Sequence, residues 1–245
     1  MALRELFSDN MKVWIRGVLA KAGIEIGAYS GSFAQHRARL ITSGRVRTVW
    51  DVGAHVGQYG ARLISNGYRG RIVSIEPSRL SFPDLSRRAG RHRGWSAIEI
   101  AVSDTTQPLT LNLSANGQSS SLLPMRELHR SADPNSRYVG SQVVQCTTLD
   151  LLQSARTERP PFYVKLDLQG AELAALRGAT AVLDSTSACE VELSLADLYD
   201  GQSPWQQVIA YLTSAGFIVC DFERVFMDPA SGDLLQVNAL FRRGG

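Results

Sequence analysis

The sequence predicts one α/β domain, built on a doubly wound, mostly parallel sheet with a helical extension before it, and three observations support this fold class. The chain has 245 residues and is 44% hydrophobic, which is enough to bury a full core. From residue 43 onward, runs rich in β-branched residues alternate with amphipathic segments. The last apolar run follows a short turn at 227–233, which predicts a final antiparallel strand. We place the extension at residues 1–42 and the domain at 43–245.

The predicted elements of the domain follow one another in a regular order. Apolar runs predict strands at 46–53, 70–77, 95–104, 161–170, 188–195, 216–223 and 234–243, with an extended excursion at 108–118. Amphipathic segments between them predict helices at 57–68, 81–90, 171–183 and 203–216. The sequence shows no internal repeat and no interdomain linker, so a single domain is expected.

The extension carries an amphipathic pattern. Its apolar residues recur at helical spacing and are Leu3, Leu6, Phe7, Trp14, Ile15, Val18 and Leu19. Two interpretations are open. One is a helix that lies on a membrane surface, which would suit a lipid substrate, and the other is a helix that packs on the domain or on a second copy of the chain. Charged residues interrupt the stretch, which argues against a signal peptide or a spanning helix and predicts a cytoplasmic protein.

Composition adds little about partners. The net charge is +3, and only three of the 26 basic residues are lysines, so that arginine dominates. Arginine binds anions well, but 23 acidic residues nearly balance the charge, and the balance does not predict a nucleic-acid partner. Three widely separated cysteines, which are Cys146, Cys189 and Cys220, fit reduced, buried thiols.

A glycine-rich turn follows the first predicted strand. Asp51 precedes it, and Gly53 and Gly57 leave the backbone open to a ligand. A dinucleotide site needs G-x-G-x-x-G, whereas the spacing here is G-x-x-x-G. A carboxylate at Asp51 would repel a pyrophosphate but suits a cation. S-adenosylmethionine carries an ammonium and a sulfonium and no phosphate, so the turn favours this cofactor and predicts that Asp51, Gly53 and Gly57 contact it.

Two further acidic positions follow the next predicted strands. Glu76 ends the second strand, where a carboxylate accepts the hydroxyls of a ribose, and by itself it fits NAD equally well. Ser103 and Asp104 end the third strand, where a side chain meets the exocyclic amine of an adenine. An acid after each of three successive strands, with a final antiparallel strand, is typical of Rossmann-like methyltransferases.

The chain resembles a known family, the FkbM-like methyltransferases. The matching stretches occur in the order of the family, from about residue 46 to 242, at 51–60, 72–78, 101–104, 119–125, 137–152 and 164–179. The resemblance implies the class I methyltransferase fold and S-adenosylmethionine-dependent O-methylation of a small molecule, often a sugar hydroxyl of a glycolipid or polyketide. It also implies cofactor contacts at Asp51, Gly53, Glu76 and Asp104.

Two positions depart from the pattern of the family. His55 stands where many members have asparagine, and Gln169 stands where many have glutamate. If either residue contacts the cofactor or the acceptor, the identity of the acceptor transfers less well from the family to this chain.

A sugar hydroxyl needs a base or a metal ion to remove its proton. Asp167 and Glu192 end two neighbouring predicted strands, and His129 lies on the segment expected to cover that edge, so these three are the candidate catalytic residues. Each has an alternative role. Asp167 could cap a helix or contact the cofactor, and Glu192 could pair with a surface arginine. His129 could be an ordinary surface histidine. Two carboxylates without a third ligand make a poor magnesium site, so the sequence favours a metal-free base over a divalent cation.

The polar loop at 113–124 fits either a lid with hydroxyl-binding serines or an ordinary hairpin excursion. The expected partner is a small-molecule glycan or glycolipid acceptor, with peripheral membrane contact and a homodimer left open. Two other functions share this fold. A nucleic-acid methyltransferase would need an N-P-P-Y type site or a Pro-Cys nucleophile, and an NAD-dependent oxidoreductase would need the phosphate turn; the sequence has neither.

Overall fold

The computed structural model describes residues 32–244. The amphipathic pattern of the predicted extension therefore lies outside the described residues. Within the described part of the chain, no helix is long and apolar enough to cross a membrane.

The described chain forms eleven strands and eight α-helices. Strands β1 to β11 comprise Thr48–Val52, Arg71–Ile75, Trp95–Ile98, Ala101–Val102, Leu109–Ser114, Tyr138–Val144, Cys146–Thr147, Phe162–Leu166, Thr186–Ser194, Phe217–Met227 and Leu234–Arg243. Helices α1 to α8 comprise Phe33–Ser43, Gln58–Ser65, Phe82–Ala89, Glu127–Ala132, Leu149–Arg156, Glu172–Arg177, Thr180–Asp184 and Trp205–Ser214.

Seven of these strands form the central sheet, in the order β3-β2-β1-β8-β9-β11-β10. The first five in this order are parallel to one another, and β11 is antiparallel to both of its neighbours. The order reverses between β1 and β8, which is the place where open α/β sheets bind ligands. The predicted doubly wound, mostly parallel sheet with a final antiparallel strand is thus confirmed.

Two predicted elements are divided in the structure. The strand predicted at 95–104 leaves the central sheet after Ile98, and Ala101–Val102 then pair with β7 in a separate small sheet. The helix predicted at 171–183 breaks into α6 and α7 around Gly178. A β-carbon at Gly178 would collide with the carbonyl oxygen of Ser103, so the chain needs a glycine there.

Helices cover both faces of the central sheet, because alternate residues of each buried strand point to opposite faces. One face, with Trp50 and Val164, packs against helices α5 to α8. The other face, with Val49 and Tyr163, packs against α1, α2 and α3. The excursion after β4 forms a hairpin-like pair of its own, in which β5 is antiparallel to β6.

A row of polar residues crosses the face under α1 and α2. Ser74, Asp51, Lys165 and Glu190 are register partners on the adjacent strands β2, β1, β8 and β9. Ser74 donates its hydroxyl to Asp51 Oδ2 at 2.8 Å, and Lys165 Nζ lies 3.6 Å from Asp51 Oδ1. We call these four residues the polar row.

Helix α1 is attached to the end of the polar row at Glu190. Arg37 donates from Nε at 2.5 Å and from Nη2 at 2.8 Å to the two carboxylate oxygens of Glu190. The hydroxyls of Tyr59 and Tyr163 donate to Glu190 Oε2 at 2.8 and 2.9 Å. The stretch 1–42, which the sequence assigns to the extension, therefore contains a helix that packs on the sheet, and the domain boundary at residue 43 stays a prediction.

We expect Arg37→Met to lower the free energy of unfolding by about 3 to 5 kcal/mol, because it leaves Glu190 buried without its cationic partner. Arg39 lies on the exposed side of the same helix and provides the matched control, so Arg39→Met should leave the stability nearly unchanged. Urea unfolding followed by circular dichroism measures both. Equal losses in the two variants would contradict a structural role for the Arg37–Glu190 pair.

Candidate functional site

The candidate site is a cleft of about 930 Å³ at the carboxyl ends of β1, β2 and β8. It lies at the point where the strand order reverses, as expected for this type of sheet. The glycine turn after β1, the acid after β2, the residues after β8 and the loop around Gly117 all border it. Its volume is within the range of about 300 to 1,000 Å³ that is usual for small-molecule sites.

The glycines of the turn are required by the fold as well as open to a ligand. Gly53 has φ +74°, and a β-carbon there would collide with the carbonyl oxygen of Asp167. Gly57 has φ +84°, and its β-carbon would lie 2.9 Å from Leu85 Cδ1. Gly53 borders the cleft, and Gly57 is the N-cap of α2. A cofactor contact at either glycine stays a prediction. The structure shows in addition that close packing requires a glycine at both positions.

Glu76 closes this turn against the end of β2. Its Oε2 accepts the backbone N–H of His55 and its Oε1 accepts that of Ser78, each at 2.8 Å. The side chain is buried and borders the cleft, and burial raises the pKa of Glu76 to about 7. Each carboxylate oxygen keeps a further lone pair for a hydroxyl donor in the cleft.

Asp51 lies outside the cleft lining. It points to the face under α2, where it is fully buried in the polar row, with Ser74 and Lys165 as partners. Burial raises the pKa of Asp51. Lys165 borders the cleft in its place and donates to the carbonyl oxygen of Gly53 at 2.9 Å. A direct contact of Asp51 with the cofactor is therefore not provided by this arrangement.

Ser103 and Asp104 also lie outside the cleft lining, because the chain leaves the central sheet after β3. They follow β4, where the Ser103 hydroxyl donates to Asp104 Oδ1 at 3.2 Å. Ser103 is buried, whereas Asp104 is exposed to solvent. The two preceding residues, Ala101 and Val102, border the cleft instead and present only apolar side chains there.

The structure brings Asp167 and Glu192 together in the cleft. Asp167 directly follows β8, and Glu192 lies near the end of the adjacent β9. Between them is Gln169, whose Nε2 donates to Asp167 Oδ1 at 2.9 Å and to Glu192 Oε2 at 2.6 Å. The sequence did not identify Gln169 as a site residue. The only signal was its departure from the glutamate of the family.

The two carboxyl groups differ in environment. Glu192 is 4% exposed, and burial, the neighbouring Asp167 and Glu172 raise its pKa well above the usual value, so its protonated form is favoured. The Asp167 side chain is 33% exposed and lies 3.4 Å from Lys165 Nζ. Asp167 is thus the member of the pair that a ligand in the cleft reaches.

His129 does not face the cleft. It is 2% exposed in α4, with its ring 5.2 Å from that of Tyr199 and 5.1 Å from that of Phe226. Burial lowers the pKa of His129 to about 4. The side of helix α4 that carries His129 faces the protein interior. The segment that borders the cleft is 117–122 instead.

The loop at 117–122 joins the two halves of the cleft. A β-carbon at Gly117 would lie 2.9 Å from His55 Nε2, so the loop packs closely on the glycine turn. On the other side, the Ser121 hydroxyl donates to the backbone carbonyl oxygen of Gln169 at 2.8 Å. His55 adopts φ +50°, and burial lowers its pKa. The loop thus contacts both positions, His55 and Gln169, where the sequence departs from the pattern of the family that it resembles.

Comparison with solved structures finds methyltransferases of low sequence identity. An rRNA methylase from Streptococcus thermophilus is 10% identical, with a TM-score of 0.49, and the match covers 89% of this chain and 100% of that one. Magnesium protoporphyrin IX methyltransferase from Synechocystis PCC 6803, with bound S-adenosylmethionine, is 11% identical, with a TM-score of 0.45, over 95% and 97% of the two chains. Precorrin-6y C5,15-methyltransferase from Geobacter metallireducens GS-15 is 11% identical, with a TM-score of 0.43, over 89% and 93%.

No curated protein sequence matches the chain. The model of one family does, and it is the methyltransferase FkbM domain, which matches residues 51–219. This range begins at Asp51, includes the glycine turn, Glu76 and the Asp167–Glu192 pair, and extends into β10. The match covers more than half of the chain and agrees with the motifs that suggested the family, so the protein belongs to the FkbM family of S-adenosylmethionine-dependent methyltransferases.

Proposed function

We propose that the protein is an O-methyltransferase that transfers the methyl group of S-adenosylmethionine to a hydroxyl of a small molecule, a sugar of a glycolipid, polysaccharide or polyketide. One observation carries this proposal. A single cleft holds both the glycine turn with Glu76 and the carboxyl pair of Asp167 and Glu192. In this proposal, the cofactor site and the proton-accepting site adjoin each other, as a methyl transfer to oxygen requires.

The residues of one half of the cleft fit the cofactor. Glu76 would accept the hydroxyls of the ribose, since both of its oxygens are held in place by backbone N–H groups. Apolar side chains suited to an adenine, those of Val102, Leu111 and Leu168, border the same cleft. When bound, S-adenosylmethionine supplies an electrophilic methyl group on a positively charged sulfur.

The other half fits a hydroxyl acceptor. Gln118 and Ser120 offer polar side chains along the loop, and Asp167 is the partly exposed member of the carboxyl pair. In this proposal, Asp167 would take the proton of the acceptor hydroxyl, whose oxygen would receive the methyl group as the sulfur–methyl bond breaks and S-adenosylhomocysteine is left. Lys165 and Gln169 hold Asp167 in place from two sides. Glu192, which favours its protonated form, is a partner of the base and not the base itself.

We expect Glu76→Gln to weaken the binding of S-adenosylhomocysteine by about 1 to 3 kcal/mol, because the ribose hydroxyls lose a charged acceptor. Donors in the ligand favour the ionised carboxylate, so wild-type affinity should rise as the pH increases through about 7, the pKa of Glu76. Calorimetry from pH 5.5 to 8.5 measures both effects, and the variant should lack the rise. Asp104→Asn, outside the cleft, is the control. An equal loss in both variants would move the ribose contact away from Glu76.

We expect Asp167→Asn to lower turnover by about 10²- to 10⁴-fold, the usual contribution of a general base, with cofactor affinity changed less than about threefold. His129→Phe should retain turnover, because His129 packs between two aromatic rings away from the cleft. The measurement is release of S-adenosylhomocysteine with a panel of sugars and glycosides, with and without EDTA. Full activity of Asp167→Asn would remove it from the mechanism, and loss of wild-type activity on chelation would favour a metal ion over a base.

A further inference from the structure

We propose that the side-chain amide of Gln169 holds Asp167 and Glu192 together in the position that a bridging cation would otherwise take. Gln169 is then a positioning residue for the base, an inference that rests on the proposed function for its catalytic meaning. The geometry itself does not depend on that function. One nitrogen atom, Nε2, lies 2.9 Å from Asp167 Oδ1 and 2.6 Å from Glu192 Oε2.

The orientation of this amide is fixed by its other end. The hydroxyl of Tyr199 donates to Gln169 Oε1 at 2.7 Å, and Tyr199 is 1% exposed. In this orientation Oε1 accepts from the Tyr199 hydroxyl and Nε2 donates to both carboxyl groups, so each end of the amide has a matching partner. The donor side therefore faces the carboxyl pair.

The backbone around Gln169 is also held. Gln169 has φ +53°, in the left-handed region that residues with a β-carbon adopt rarely, and Gly170 follows with φ +100°. The carboxylate of Glu172 accepts the backbone N–H groups of Leu168 and Gly170 at 2.8 and 3.1 Å. The Ser121 hydroxyl bonds the carbonyl oxygen of Gln169. These contacts hold the turn so that the side-chain amide of Gln169 lies between the two acids.

Two acids that accept from the same nitrogen atom lie close together, and they need a donor, a proton or a cation between them. Three donors are present around the pair: Gln169 for both acids, Gln236 for Glu192 at 2.9 Å and Lys165 for Asp167. Within residues 32–244, no group of three or more His, Cys, Asp or Glu side chains is arranged to hold a metal ion. A glutamate at position 169 would supply the missing third acid at the point now occupied by Nε2.

The first test is therefore Gln169→Glu, with Mn²⁺ as the probe. Three carboxylates that converge on one point are suitable ligands for a divalent ion, so the variant should bind one Mn²⁺ per chain by calorimetry. The wild type and Gln169→Met should bind none there, and Asp167→Asn added to Gln169→Glu should abolish the binding. A folded Gln169→Glu that binds no Mn²⁺, or a wild type whose Mn²⁺ binding is lost in Asp167→Asn, would overturn the proposal.

The second test uses Gln169→Met and keeps the proposal falsifiable if the glutamate variant does not fold. Without the amide, ionisation of the pair costs more, which raises the pKa of Glu192 further in the folded state. The carboxyl pKa of Glu192, followed by carbon-13 NMR of the labelled side chain, should thus be higher in Gln169→Met than in the wild type.

The charged and titratable groups that face Glu192 are Asp167, Glu172, Lys165 and Tyr199, and all are retained in this variant. A side-chain amide that does not interact with the pair would leave the pKa of Glu192 unchanged when it is removed, and that result would overturn the proposal. Glu192→Gln removes the titrating signal and so identifies it. Both tests need neither cofactor nor acceptor, so failure of the proposed methyl transfer, seen as absent S-adenosylmethionine binding, is distinguished from failure of this inference.

Discussion

The rest of the site depends on the contacts of one ammonium group, that of Lys165. It lies 3.6 Å from Asp51, 3.4 Å from Asp167 and 2.9 Å from the carbonyl oxygen of Gly53, and the side chain is only 9% exposed. A buried charge must be paired, so this one group ties the carboxyl end of β1 to that of β8. The polar row continues from it to Glu190, through which Arg37 attaches α1 to the same sheet.

The acidic residues around Lys165 differ in their surroundings. Asp51 is enclosed beneath the turn and balances Lys165, whereas Asp167 lies at the surface of the cleft and shares the same cation. Glu192, which also faces Lys165, is joined to Asp167 through Gln169. The central sheet thus carries these charges on one face, and Asp167 is the partly exposed member of the carboxyl pair at the cleft.

The sequence predicted the parts of the site that depend only on strand ends. Glu76, Asp167 and Glu192 were expected at one edge because parallel strands align their carboxyl ends, and the structure places all three on the cleft. The sequence predicted a cofactor contact for Asp51 because it directly precedes the turn. Side chains alternate between the two faces of a strand, however, and Asp51 points to the face under α2. The positions of Asp104 and His129 depend on the path of the chain after the edge strand β3, which local sequence patterns do not determine. The role of Gln169 depends on Tyr199 and Glu192, which are distant in sequence, so no local signal reveals it.

Helix α1 connects the core to the lining of the cleft. Its residues Ala34 and Arg37 border the cleft, while its later residue Ile41 packs in the core. Substitutions at Ala34 therefore alter the lining without changing a strand, the turn or the carboxyl pair. This part of the lining precedes residues 51–219, which the family model matches. One wall of the cleft therefore comes from a segment whose sequence can vary independently of the matched glycine turn and carboxyl pair.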